Sequence, residues 1–179
     1  MAGIGQASVQ ATPLMMAMVA ATVANDGEQM APYIISQTLD ADLQVVSTTK
    51  PTVARTPIDS DTAATLTSLM QETVNSGTGT PAQVAGVSVA GKTGTAQTGS
   101  DDGGPITWFI GFAGTDINKP EIALAVVLDG NAETEDGATG AYLRRVLFGE
   151  PEERPLPRYD EVMGQLYIQV LRPLCWAGL

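Results

Sequence analysis

Histidine is absent from the 179 residues, and cysteine occurs once, at Cys175. Without imidazole there is no Ser-His-Asp or Cys-His catalysis from this chain and most zinc sites are excluded, so any proton carrier must be Lys, Asp, Glu, Tyr or a residue of a partner. A single thiol closes no intramolecular disulfide, and Cys175, among Leu174, Trp176 and Leu179, reads as a small apolar residue. Cations are scarce: 9 Lys+Arg stand against 20 Asp+Glu, a net charge of −11. Such a chain has too few cations to displace counterions along a phosphate backbone, which argues against nucleic acid as a partner. The first 25 residues carry no charge, yet the apolar run Leu14 to Ala24 is shorter than the ~18 residues of a membrane span and lacks the basic flank of a secretory signal. A buried helix is expected there, and no membrane span.

A 44% hydrophobic content supports a core, and the length suits one domain or part of one. Thr12-Pro13 predicts a helix start, with Leu14, Ala17, Met18, Ala21 and Ala24 on one face and a stop at Asn25-Asp26-Gly27. Tyr33-Ile34-Ile35 and Leu43-Gln44-Val45-Val46 predict a hairpin about Asp40-Ala41-Asp42. Ser60 or Asp59 caps a second helix with Leu66, Leu69, Met70, Thr73 and Val74 inward, ending at Asn75-Ser76-Gly77. From Val84 the period becomes that of strands. Val87, Val89 and Gly91 to Gln97, then Thr107 to Ala113, then Ile122 to Leu128 are joined by links too short for parallel crossovers, which predicts a three-strand antiparallel meander. A helix from Gly137 to Leu147 would cover that sheet, giving α+β layering. After Gly149, Glu150 to Pro157 reads as an extended Pro/Glu-rich linker, and Tyr159 to Leu171 as a short amphipathic helix with Val162, Met163, Leu166 and Val170 on one side. Glu133, Glu135 and Asp136 read as a solvated loop rather than a metal site.

Three readings compete for Lys92, one of three lysines. Gly86 to Thr93 satisfies the phosphate-loop pattern G-x-x-x-x-G-K-[ST], and Ile122 to Asp129 resembles a strand ending in a magnesium-binding aspartate. That loop must curl and feed a helix at once, whereas Val87 and Val89 are β-branched and alternate, and Gly94 to Gly99 is a poor helix start. A bland reading is an ordinary glycine-rich strand. The third keeps Lys92-Thr93-Gly94 on a strand as the K-T-G element of penicillin-interacting serine enzymes, in which a cation and hydroxyls face an anionic carboxylate and glycine admits the substrate.

Lys92-Thr93-Gly94-Thr95-Ala96-Gln97 is followed by Trp108-Phe109-Ile110-Gly111-Phe112 and preceded by Gly3-Ile4-Gly5-Gln6, Thr12-Pro13-Leu14 and Ala24-Asn25-Asp26-Gly27. In that order these motifs resemble the C-terminal half of a class B penicillin-binding protein transpeptidase domain, from about Gly3 to Leu147. The resemblance implies a partial β-lactamase/transpeptidase-like fold over 1–149, with 150–179 as the linker and helix. It implies a D,D-transpeptidase that cross-links peptidoglycan stem peptides through an acyl-enzyme and is acylated by β-lactams, with no cofactor or metal. Lys92, Thr93, Gly94 and Thr95 would form the substrate-carboxylate site, and the Thr95 backbone N–H half of the oxyanion hole. It also implies the outer face of the bacterial cytoplasmic membrane as location and the N-terminal part of the transpeptidase domain as partner. Ala7 stands where the family has glycine, Gly114 where it often has proline, and the tail after Gly149 has no counterpart.

That family needs S-x-x-K and S-x-N before K-T-G. Ser47-Thr48-Thr49-Lys50 offers the letters of the first, and no Ser-x-Asn occurs. Ser and Lys of S-x-x-K meet only on a helical turn, while Val45, Val46, Thr48, Thr49 and Pro51 favour extended chain. Ser47 is therefore expected to be a strand or loop residue, and the chain by itself to be inactive. A non-catalytic peptide-binding or assembly module, using the same strand edge to pair with peptide or protein, is the alternative, and the apolar strand Ile122 to Leu128 is expected to present an open edge.

Overall fold

The computed structural model describes residues 9–97 and 105–128 and the backbone of 166–171. Helix α1 spans Pro13–Ala24. Thr12 Oγ1 accepts the Met15 N–H at 3.2 Å, and Pro13 stands where no donor is needed. Gly27, at φ +91°, closes the helix by donating its N–H to the Thr22 carbonyl. The buried stripe is Ala17, Ala20 and Val23, which differs from the expected face. Alanine meets alanine: Ala17 packs with Ala125 and Ala20 with Ala123, so the helix lies close on the sheet and the larger Leu14, Met15 and Val19 turn outward.

A two-part ribbon follows, β1 (Gln29–Met30) with β4 (Val53–Arg55) and β2 (Gln37–Leu39) with β3 (Val45–Thr48). The expected strand at Tyr33 to Ile35 is displaced to β2. Asp40 Oδ1 accepts the Asp42 and Gln44 N–H groups at 3.0 and 2.9 Å, with Leu43 at φ +61°. This turn sets the register outward from itself and leaves Ile34 and Ile35 unpaired with a strand. A relay buried at its centre ties the ribbon's base to α1: Arg55 Nε donates to Gln29 Oε1, Gln29 Nε2 to Thr22 Oγ1, and Thr22 Oγ1 to the Met18 carbonyl.

Helix α2 (Ser60–Ser76) is capped by Asp59, whose carboxylate accepts the Thr62 N–H at 2.7 Å. Ala63, Met70 and Val74 point inward, whereas Leu69, expected inside, is 60% exposed. The main sheet runs β5 (Ser88–Ala96), β6 (Ile106–Gly114), β7 (Ile122–Leu128), β8 (Leu166–Leu171), in that order and antiparallel throughout. Phe109, Phe112, Leu124 and Val126 are fully buried in it. The chain is thus α+β, with α1 over β6 to β8 and α2 along β5.

Two expectations need correction at the C-terminus. Leu166 to Leu171, expected at the end of a helix, is a strand, and β7 has no open edge because β8 pairs with it from Ala123↔Leu171 to Leu128↔Leu166. Six residues rich in aromatic and branched side chains fit either period, and the apolar partner strand decides. The expected helix Gly137 to Leu147, the Gly3 to Gln6 motif, the acidic loop and Cys175 lie outside the described residues. No helix among those described is long and apolar enough to cross a membrane.

Candidate functional site

The Lys92 segment is pleated. β5 pairs residue by residue with β6 from Ser88↔Gly114 to Ala96↔Ile106, with no register shift. Successive N–H groups of a strand point to opposite sides, so they cannot converge on one phosphate. The phosphate-loop reading of Gly86 to Thr93 is therefore corrected: Gly86, at φ +76°, belongs to a turn closed by the Val84 and Val87 bridge, and Ser88 to Thr93 is strand.

Alternation along β5 divides the site residues. Lys92 and Gly94 share the sheet face of Ile110 and Trp108, toward the helices, while Thr93 and Thr95 share the face of Phe109 and Thr107. Gly91 is fixed by packing, because the buried Phe109 ring lies across it and a Cβ there would overlap the ring. Gly94 is different. A Cβ at Gly94 would meet only Trp108 Cβ, at 3.7 Å, an ordinary contact. The fold therefore needs glycine at 91 and leaves 94 open.

Lys92 is exposed, and its Nζ donates to the Thr93 carbonyl at 2.7 Å; among the described residues it forms no ion pair. It stands on the rim of a cleft of about 640 Å³ between α1 and α2, lined by Val19, Val23, Leu66, Leu69, Met70 and Ile110. Gly94 opens on a second cleft, of about 670 Å³, beside Met15, Met16, Ile106 and Trp108. Both walls are mainly apolar, so a charge placed there is screened less than at an open surface. Among the described residues no group of three acidic or cysteine side chains could hold a metal ion.

Two hydroxyls escaped the sequence reading. Thr78, in the turn after α2, places Oγ1 2.6 Å from Thr93 Oγ1. Thr107, across from Thr95, is buried with no hydrogen-bond partner for Oγ1 among the described residues. Ser76-Gly77 had signalled only a helix stop, and nothing local announces a contact across 15 residues. Ser47, by contrast, lies on the exposed strand β3, hydrogen-bonded at 2.6 Å to Thr38 Oγ1 of β2. The expectation that Ser47-Thr48-Thr49-Lys50 forms no helical turn agrees with this extended backbone.

The family model described as the penicillin binding protein transpeptidase domain matches residues 1–147, and that of the y4jL C-terminal domain matches 121–179. The peptidoglycan D,D-transpeptidase PbpA of Mycolicibacterium smegmatis is 41% identical over 145 residues, covering 79% of this chain and 28% of the relative. PbpA of Mycobacterium tuberculosis is 38% identical over 163 residues, covering 84% and 32%. A solved structure of the tuberculosis protein as its penicillin G acyl-enzyme superposes with a TM-score of 0.69 at 37% identity, over 81% of this chain and 33% of that one. The D,D-transpeptidase domain of an Eggerthella lenta peptidoglycan glycosyltransferase gives 0.69 at 34% identity, over 78% and 32%. The chain spans about a third of the length of these relatives.

Proposed function

The chain belongs to the penicillin-binding protein transpeptidase family, and from that premise we propose that it forms the carboxylate-binding and oxyanion wall of a peptidoglycan D,D-transpeptidase. The observation that carries the reading is Gly94, a glycine on a flat strand that the fold itself does not require. What a side chain at 94 would obstruct is a molecule lying along β5. In this reading the Thr93 and Thr95 hydroxyls hold the C-terminal carboxylate of a stem peptide or the carboxylate of a β-lactam from one face of the edge strand β5, and the Lys92 ammonium, which lies at the Thr93 carbonyl, reaches it from the other. The Thr95 N–H polarises the carbonyl under attack. The charge-assisted bonds to an anion are the strong ones here, worth about 1.5–3 kcal/mol each.

The attacking serine comes from elsewhere, because donors of this kind stabilise a tetrahedral species without creating it. The apolar cleft between α1 and α2 suits that partner: the N-terminal portion of a transpeptidase domain, presenting an apolar helix face toward Lys92. Burying Val19 and Leu69 under it would contribute roughly 1.5–3 kcal/mol per side chain. The location proposed with this role is the outer face of the cytoplasmic membrane.

A second reading, a self-contained peptide-binding module, is favoured by β8, which closes the apolar edge of β7 from within the chain. The two separate on covalent labelling. The chain is grafted in place of the matching third of the tuberculosis PbpA, and both the graft and the chain alone are exposed to fluorescent penicillin. The transpeptidase reading expects a covalent adduct on the graft and none on the chain alone, with or without Ser47→Ala. An unlabelled but folded graft speaks for the binding module, and labelling of the chain that disappears in Ser47→Ala overturns the assignment of Ser47.

A further inference from the structure

Resting on the reading of Thr93 as a carboxylate donor, we propose that Thr78 is a positioning residue that aims the Thr93 proton at the bound anion. A threonine hydroxyl has one proton and two lone pairs. In the Thr78 and Thr93 pair, 2.6 Å apart, one hydroxyl donates and the other accepts. If Thr93 donates to Thr78, its lone pairs face the incoming carboxylate and repel it. If Thr78 donates, the Thr93 proton is left for the carboxylate, and the accepted bond polarises Thr93 into a better donor. Anion binding selects the second arrangement, in which the bond from Thr78 fixes the direction of the Thr93 proton and polarises it, whereas a Thr93 without that bond is left to rotate.

The turn that carries Thr78 is held without help from its side chain. The Gly77 and Gly79 N–H groups both donate to the Thr73 carbonyl, at 3.1 and 3.0 Å. Gln83 Nε2 donates to the Val74 and Asn75 carbonyls at 2.8 and 3.1 Å. These bonds pin the residues on either side of Thr78 to the end of α2. Thr78 itself is exposed and Thr93 half-buried, so the pair is reachable by a ligand. Replacing the hydroxyl by a methyl group therefore removes the donor and keeps the turn.

The test is an amide-shift titration of Lys92 to Thr95 in the full ¹⁵N-labelled chain, using acetyl-D-alanyl-D-alanine and, separately, its methyl ester. The ester has lost the charge that Thr93 reads, so the acid-to-ester ratio isolates this contact from general damage. Wild type is expected to prefer the acid. Thr78→Val should weaken the acid about tenfold and leave the ester unchanged, and Thr78→Ser should restore the preference. Retained preference in Thr78→Val, or a Thr78→Ser as weak as Thr78→Val, overturns the role of Thr78 and leaves the wall intact. A wild-type chain that treats acid and ester alike overturns the wall and the role of Thr78 together.

Discussion

Lys50 and Lys92 each belong to a stretch that spells an active-site motif, Ser47-Thr48-Thr49-Lys50 and Lys92-Thr93-Gly94. The ribbon around Ser47 is exposed along both strands, and its main partner is itself. β5 is packed along its length by β6 and α2, and buries Val89, Ala90 and Gly91 before exposing Lys92. The difference teaches that a motif becomes a site where its backbone is held. Positioning to within fractions of an ångström needs a scaffold whose own conformation is over-determined, and only the Lys92 strand has one.

The contrast can be broken most strongly at Gly91. Gly91→Val drives a side chain into the buried Phe109 ring and is expected to destabilise the chain by about 3 kcal/mol in urea denaturation. Ser47→Ala, on the exposed ribbon, should stay within about 0.5 kcal/mol of wild type. Equal effects would remove the distinction between the regions. Gly94→Ala sharpens it inside β5 itself: stability should change by less than about 1 kcal/mol, while binding of acetyl-D-alanyl-D-alanine falls. A folded, binding-competent Gly94→Ala would mean that nothing lies against that residue.

The smallest effect belongs to Asp59. The Thr62 N–H bonds its carboxylate and holds its pKa below the ordinary 3.8, so folding favours the ionised form. That stabilisation is present above the unfolded-state value and lost as pH falls through the lower folded one. Asp59→Ala should be less stable than wild type at neutral pH, with the gap closing below pH 3.8 in helix-monitored melts. A gap independent of pH would show that the charge plays no part in the cap.

Local chemistry made much of this legible. Thr12-Pro13 and Asp59-Ser60 announce helix starts because a cap is satisfied within three residues. The meander followed from link lengths, and the flatness of Lys92 to Thr95 from β-branched alternation just before it. Distant partners decided the rest. β8 pairs with β7 across some forty residues, which no window along the chain can register. Thr78 meets Thr93 only because a turn folds back on α2, and α1 presents alanines to the sheet because Ala123 and Ala125 wait there.

The most direct measurement is the rate of acylation by fluorescent penicillin in the graft with the tuberculosis PbpA, compared between Lys92→Ala and Lys50→Ala. Removing the ammonium at 92 should slow acylation about a hundredfold, and removing the one at 50 should leave the rate within twofold, about the resolution of the assay. Equal losses, or a loss confined to Lys50→Ala, would contradict the assignment of the carboxylate wall to β5.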